Sequence, residues 1–383
     1  MAENTITGLV PEIYEALDIV SRELTGMIPS VTMNASANTA SVGQAIRVDV
    51  EPAGNVSNIT PAMNTPDPTG QTSGSTDIII TKSRAAEFGF VGEDQKGLNT
   101  GAGYTNVRAG KIAQAIRAVV NEVETDLCGL QSTFSRAFGA AGTAPFGTAN
   151  DYTDASNVLR ILKDNGAPLQ DNQLVIDTAS GVNLLGKQAN VADAGSDSIL
   201  RQGVLLDING MPIRESAQVE TVAAVGSTTN AVTTAGHAVG VTSIVLKGSG
   251  TGTILAGDVI AFAGDTNKYV VVTGTGAVSG ATIVIAAPGL RQALPAGDKA
   301  VSVVAISTRN MAFNRSALVL ASRVPARPVE GDNASDVIII TDPRSGLSME
   351  FAMYKGYRKV RYEVSLAWGV KNIKPEHTAL LLG

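Results

Sequence analysis

The chain has 383 residues, with 29 Lys and Arg against 35 Asp and Glu, a formal net charge of −6, and one cysteine, Cys128. It is long enough for two or three ordinary domains; the lone cysteine excludes an intramolecular disulfide and any multi-cysteine metal site, and the acidic balance argues against a basic nucleic-acid-binding face. Charged residues make up only 17%, below the ~25% usual for soluble domains, which fits a chain that hides much of its surface against copies of itself.

The opening MAENTITGLVPEIYEAL has acids early and no apolar core, so it does not read as a secretory signal, and no window reaches the ~18 apolar residues of a membrane span; the sequence reads as cytoplasmic. Within residues 11–27, Ile13, Leu17, Val20 and Leu24 form one apolar stripe that predicts a helix, with Gly26 as its stop. Ile46 to Val50 and Asp77 to Thr81 are β-branched runs that predict two strands. Between them, Glu51 to Ser75 contains four prolines and three glycines and little to pack. A structureless excursion of that length is usually functional, and it predicts a long two-stranded arm with a loose tip, resting on something outside its own domain.

Thr105 to Phe138 carries the strongest helical signal. Ile112, Ile116, Val119, Val123, Leu127, Leu130 and Phe134 form a continuous stripe, with Glu122, Glu124 and Asp126 mostly off it. The pattern predicts a spine of about 50 Å at 1.5 Å per residue. After a Gly/Ala-rich linker, 139–150, come a helix over SNVLRILKDNG, a buried strand over QLVIDT and a helix around VNLLGK, followed by VLLDINGMPIRES, in which Asn209-Gly210 predicts a type I′ hairpin turn. From about Glu220 to Ile306 helical periodicity stops, and SIVLKG, DVIAFAG, KYVVVTG, TIVIAA and AVSVVAI predict short strands of a small inserted barrel. The α+β pattern then resumes, with a strand over DVIIITD and a β-rich end.

Candidate chemistry is sparse. Lys247 and the run Gly248 to Gly252 invite a phosphate-binding reading, but the lysine precedes the glycines and a strand follows instead of a helix, so a β-turn is expected. His237 and His377 show no metal or triad spacing and read as surface residues. Asp258, Asp265 and Asp298 stand at strand entrances, where Asp after Gly is ordinary turn chemistry rather than a calcium loop. Arg323, Arg327, Arg358, Lys359 and Arg361 form two weak basic clusters, read as solvated faces or inter-subunit ion pairs. Cys128 reads as a buried thiol. No catalytic, cofactor-binding or metal-binding residue is assigned, and no cofactor is expected.

Three segments carry a family resemblance: GLSMEFAMYKGYRKVRYEVSLAWGVKNIKPEH, with Trp368-Gly369-Val370 and Pro375-Glu376; NMAFNRSALVLASRVP, from Asn310 to Pro325; and VLLDINGMPIRES, from Val204 to Ser216. The chain resembles the major capsid (coat) proteins of tailed double-stranded DNA bacteriophages, particularly those of short-tailed phages with an extra domain. The resemblance implies an α+β Johnson fold with an N-terminal arm (1–44), an E-loop hairpin (45–84), a P-domain (85–145 and 343–383) holding the spine helix 105–138, an A-domain (146–219 and 307–342) and an inserted β-barrel I-domain (220–306). It implies a structural protein, not an enzyme, that self-assembles in hexamers and pentamers with a separate scaffolding protein and a portal. Packaged DNA would be contacted weakly if at all, no membrane would be involved, and the protein would be assembled in the bacterial host cytoplasm and end in the virion. The E-loop tip, 51–75, lacks Lys and Arg, which implies no lysine cross-link of the kind some relatives form. Two alternatives stay open: a decoration or tail-tube protein, which would not need the spine helix, and an enzyme built on the barrel, which would need clustered carboxylates or a true phosphate loop.

Overall fold

The computed structural model describes residues 13, 16, 25–50, 58–59, 61, 74–98, 103–148, 151–187, 205, 207–224, 226–230, 232, 235–342 and 346–383. The helix expected over 11–27 and the arm tip fall largely outside them; Ile13 and Ala16 are helical and buried. The chain is α+β.

A short 3-10 turn, Ile28–Ser30, leads into β1 (Thr32–Ala40), β2 (Ala45–Val50), β3 (Gly74–Ile79) and β4 (Lys82–Val91). Gly43, at φ 90°, makes the turn between β1 and β2. β2 and β3 form the expected antiparallel ribbon, from Ala45 opposite Ile79 to Val50 opposite Gly74. After α1 (Gly92–Leu98) comes the long helix α2 (Tyr104–Gly129), whose buried stripe runs through Ile112, Ile116, Val119, Val123 and Leu127.

This helix is shorter than its periodicity predicts. Its 26 residues span about 39 Å at 1.5 Å per residue. Leu130 and Phe134 continue the apolar spacing, but the chain tightens into a 3-10 turn at Leu130–Thr133, Phe134 is extended, and β5 (Arg136–Gly139) follows. Tertiary packing decides this: the Phe134 ring meets Phe313 edge-on at 6.2 Å, and β5 pairs with the last strand of the chain. The expected linker after it is also built into the body. Phe146 is 1% exposed, its N–H donates to Asp154 at 2.8 Å, and Asn183 donates to the Pro145 carbonyl.

The predicted helix, strand and helix appear as α3 (Thr153–Asp164), β6 (Asn172–Ile176) and α4 (Thr178–Lys187). Asn209 and Gly210 both have positive φ, and Ile208 and Met211 exchange two backbone hydrogen bonds around them, as a type I′ turn requires. β7 (Ile213–Glu215) then runs parallel to β6.

The β-rich stretch contains β8 (Thr221–Val222), β9 (Ser227–Thr228), β10 (Ser243–Val245), β11 (Gly252–Thr253), β12 (Val259–Phe262), β13 (Lys268–Thr273), β14 (Thr282–Ile285) and β15 (Val301–Val303). Its apolar side chains form their own cluster, centred on Ile244, Ile260, Tyr269, Val271 and Ile283. Its sheet is not closed off from the rest, because β13 pairs antiparallel with β5. Those two strands join it to a large sheet running through β16 (Ser307–Asn314) and the terminal strand β21 (Thr378–Leu382).

The other large sheet is built from β1, β4, β17 (Leu318–Pro325), β18 (Ala334–Thr341), β19 (Ser348–Gly356) and β20 (Lys359–Asn372). α2 covers one face, where Phe351, Tyr362, Val364, Leu366 and Trp368 join the helix stripe in the largest core. The base of the β2–β3 ribbon covers part of the other: Ile78, Ile80, Ile46 and Val48 pack on Val319, Ala321 and Ala367. Gly369 permits this approach, since a Cβ there would stand 2.1 Å from the Ile79 carbonyl oxygen. Gly369→Ala is expected to lower stability by about 1–3 kcal/mol through forced displacement of the ribbon base, read as a lower midpoint in urea unfolding with an unchanged slope.

Candidate functional site

The sequence candidates do not converge. Gly250 and Gly252 have φ of 118° and 110°, and β11 pairs with β9 immediately after them. A Cβ at Gly252 would stand 1.7 Å from the Ser227 carbonyl oxygen. The glycines therefore serve close backbone approach in a β-turn, and no helix N-terminus gathers amides there. Lys247 pairs with Asp298.

Two of the three aspartates are engaged by their own turns, and the third, Asp298, by Lys247. Asp258 accepts the Leu255 N–H at 2.8 Å, and Asp265 accepts from Asn267 and from the Tyr269 hydroxyl at 2.7 Å. Among the described residues, no group of three His, Cys, Asp or Glu is arranged to hold a metal ion. The histidines are half-buried rather than surface residues. His237 exchanges two backbone hydrogen bonds with Leu294, while His377 sits in the turn before β21, where burial holds its imidazole below the usual histidine range. Burial and the nearby Glu124 push the Cys128 thiol up, which keeps it protonated and unreactive.

Three of the five basic residues are bound up within the chain. Arg323 donates to the Asn34 side-chain oxygen at 2.9 Å. Arg327 grips Glu350 with two hydrogen bonds, at 3.0 and 2.8 Å, and Asp332 with two at 2.9 Å; these carboxylates raise its basicity. Arg361 pairs with Glu87. Arg358, at φ 56°, turns its guanidinium over the Tyr357 ring. With Lys355 and Lys359 it borders an open groove of about 740 Å³ between the β19–β20 tip and the start of α1.

Sequence reasoning missed a set of buried polar residues that tie elements together. Glu124 lies on α2 and is fully buried, although it reads as off the stripe. Its position, four residues after Val120 and four before Cys128, puts it on a buried row, and that spacing was the available signal. Its carboxylate accepts the Met27 N–H at 2.7 Å, the Ile28 N–H at 3.0 Å and the Ser216 hydroxyl at 2.8 Å. It thus joins the spine, the N-terminal turn and the segment after β7. Arg136, 3% exposed, donates to Asn165 and Asn267, both at 2.9 Å, linking α3 to the β-rich stretch. Arg309 is 1% exposed, and burial lowers it to about 10 against the opposing charge of Asp258.

The remaining candidate is the ribbon. Arg47 faces Asp77 at 3.5 Å, and Lys371 donates to the Asp77 carbonyl. Beyond these anchors the outer pairs Asp49–Ser75 and Val50–Gly74 stand outside the apolar cluster at the base. Among the described residues the geometry offers a two-stranded surface rather than a convergent set of catalytic groups.

No protein-family model and no curated protein sequence matches the chain. Among solved structures, it is similar to the capsid structure of cyanophage P-SCSP1u, at 12% identity over 92% of this chain and 85% of that one, with a TM-score of 0.48. It is also similar to the mature capsid of bacteriophage PhiM1 (12%, 92% and 85%, 0.45) and to the capsid of Myoviridae phage XM1 (9%, 94% and 92%, 0.43).

Burial raises the Glu124 carboxyl above its ordinary range, with the three donors opposing. A carboxyl raised on folding favours the native state when protonated, so its contribution falls as pH rises from the unfolded value through the folded one. The stability of the native chain minus that of Glu124→Gln is therefore expected to fall as pH rises through that window. Urea unfolding of both proteins at stepped pH checks it; a signed difference that rises with pH contradicts the assignment.

Proposed function

We propose that this chain is the major capsid (coat) protein of a tailed double-stranded DNA bacteriophage, a structural subunit whose copies close into an icosahedral shell around the genome. The observation that carries the reading is the β2–β3 ribbon. It is held by six residue pairs, yet among the described residues its apolar packing is confined to its base, and a two-stranded ribbon is marginal in water. A neighbouring copy supplies the missing surface. The donor ribbon and the acceptor surface are different patches, so the contact is head-to-tail, and repeated head-to-tail contacts close into rings.

On this reading the elements take the roles that the family resemblance gives them. Residues 45–84 act as the E-loop, and α2 as the spine of a P-domain formed by 85–145 and 343–383. Residues 146–219 and 307–342 form the A-domain, 220–306 the insertion domain and 1–44 the N-terminal arm. The family-like segments fall in adjoining strands: 346–377 supplies the β19–β20 hairpin, and 310–325 supplies β17, which pairs with β20 in the same sheet. The buried ties at Glu124 and Arg136 suit a subunit that must transmit force as one body. Ionic pairing of Arg327 and Arg361 within the chain suits a shell that does not grip its DNA.

Replacing residues 51–73 by Asn-Gly joins Val50 to Gly74 through a two-residue type I′ turn and preserves the strand register. The variant is expected to stay folded by circular dichroism yet form no shells by negative-stain microscopy with its scaffold. Normal particles would sink the role given to the arm.

A further inference from the structure

We infer that the outer edge of β18 pairs with the same strand of a second copy across a two-fold axis; this rests on the proposed self-assembly. β18 ends its sheet: among the described residues only β19 pairs with it. The Val337 N–H shows which groups face outward, since it is held by the Asp336 carboxylate at 2.9 Å and not by a neighbouring strand. Backbone groups alternate along a strand, so the N–H and C=O of Val337 and Ile339 both face the open edge. Their side chains are 37% and 45% exposed.

Edges of this kind are normally guarded by charge, proline or a bulge. The opposite edge of the sheet, β4, carries Lys82, Arg84 and Glu87. β1 is polar, with Thr32, Asn34, Asn38 and Thr39. β18 reads ASDVIIIT, and its irregularity is confined to Ala334–Asp336, after which the ladder with β19 is unbroken to Thr341. From Val337 to Ile340 it is an unguarded β-branched edge, the kind that takes another strand.

A second copy is the occupant that the strand's own chemistry fits. With the axis at Ile338, antiparallel pairing sets Val337 against Ile339 of the other copy and Ser335 against Thr341, apolar on apolar and hydroxyl on hydroxyl. The only charge, Asp336, falls opposite Ile340 and not opposite its own image, so no like charges meet. Both outward residues exchange N–H···O=C bonds with the copy, giving a closed, isologous contact distinct from the head-to-tail one made by the ribbon.

The test is site-directed cross-linking of the full-length protein under assembly conditions with an oxidant. In the proposed register V337C/I339C brings thiols of two copies onto directly opposed positions, with Cα atoms about 5.5 Å apart. Like positions are diagonal, about 7–8 Å apart, so V337C and I339C alone should not cross-link. A disulfide-linked dimer in the double variant alone supports the pairing. Cross-linking by either single variant, or shells that form from the double variant without dimer, overturns it while leaving the shell reading intact; dimer without shells supports the pairing and counts against the shell. As a second arm, Ile339→Pro removes an outward N–H without touching the ladder to β19. It should weaken self-association on the order of tenfold while circular dichroism stays unchanged; undiminished association of the folded variant overturns the proposal.

Discussion

The structure depends on β20. Its 14 residues are paired on both edges, with β4 along one side and with β19 and then β17 along the other. Its middle is fixed to the spine as well: the Trp368 indole donates to Asp126 at 2.8 Å, while Lys82 reaches the same carboxylate and Glu122. Trp368 is fully buried, and its carbonyl accepts the Thr81 N–H that starts β4. One strand thereby sets the position of the helix on one face of the sheet and of the ribbon base on the other. With both faces tied to the same backbone, movement of one layer is passed to the other.

The same economy of contacts explains the charge-poor surface. Several charged side chains are consumed in ties inside the chain, such as Arg327 with Glu350 and Asp332, and Glu124 with the N-terminal turn. Such pairs add little net stability when exposed, but buried ones enforce a single arrangement, because leaving either partner alone costs several kcal/mol. Among the described residues, in contrast, β2 and β3 pair only with each other and β18 only with β19, which suits the proposed assembly.

The β-rich stretch shows how an apparent motif dissolves into geometry. Glycines at 248, 250 and 252 beside Lys247 look like a phosphate cradle when read in line. In space Asn230 binds the Lys247 and Val278 carbonyls at 3.1 and 2.7 Å, and Gly250 lies against Asn230 where a Cβ would stand 2.8 Å away. Glycine there makes room for a side chain of the protein itself.

Period and turn chemistry were readable from the sequence alone. The amphipathic stripe of α2, the β-branched runs of β2, β3, β13 and β18, and the Asn209-Gly210 turn all follow from local preferences that burial reinforces. The two-stranded arm was readable in the same way. Tertiary structure decided what local pattern leaves open. Leu130 and Phe134 keep the helical spacing, but pairing of β5 with β21 ends the helix before them. Glu124 looks like a surface acid until the N-terminal turn and Ser216 close over it. Which strand edge remains open is invisible in a sequence, because ASDVIIIT would be equally at home in the middle of a sheet; only the placement of β19 on one side, and of no described strand on the other, makes β18 an edge. Local sequence sets the period of each element, whereas long-range pairing and burial set where it stops and what it faces.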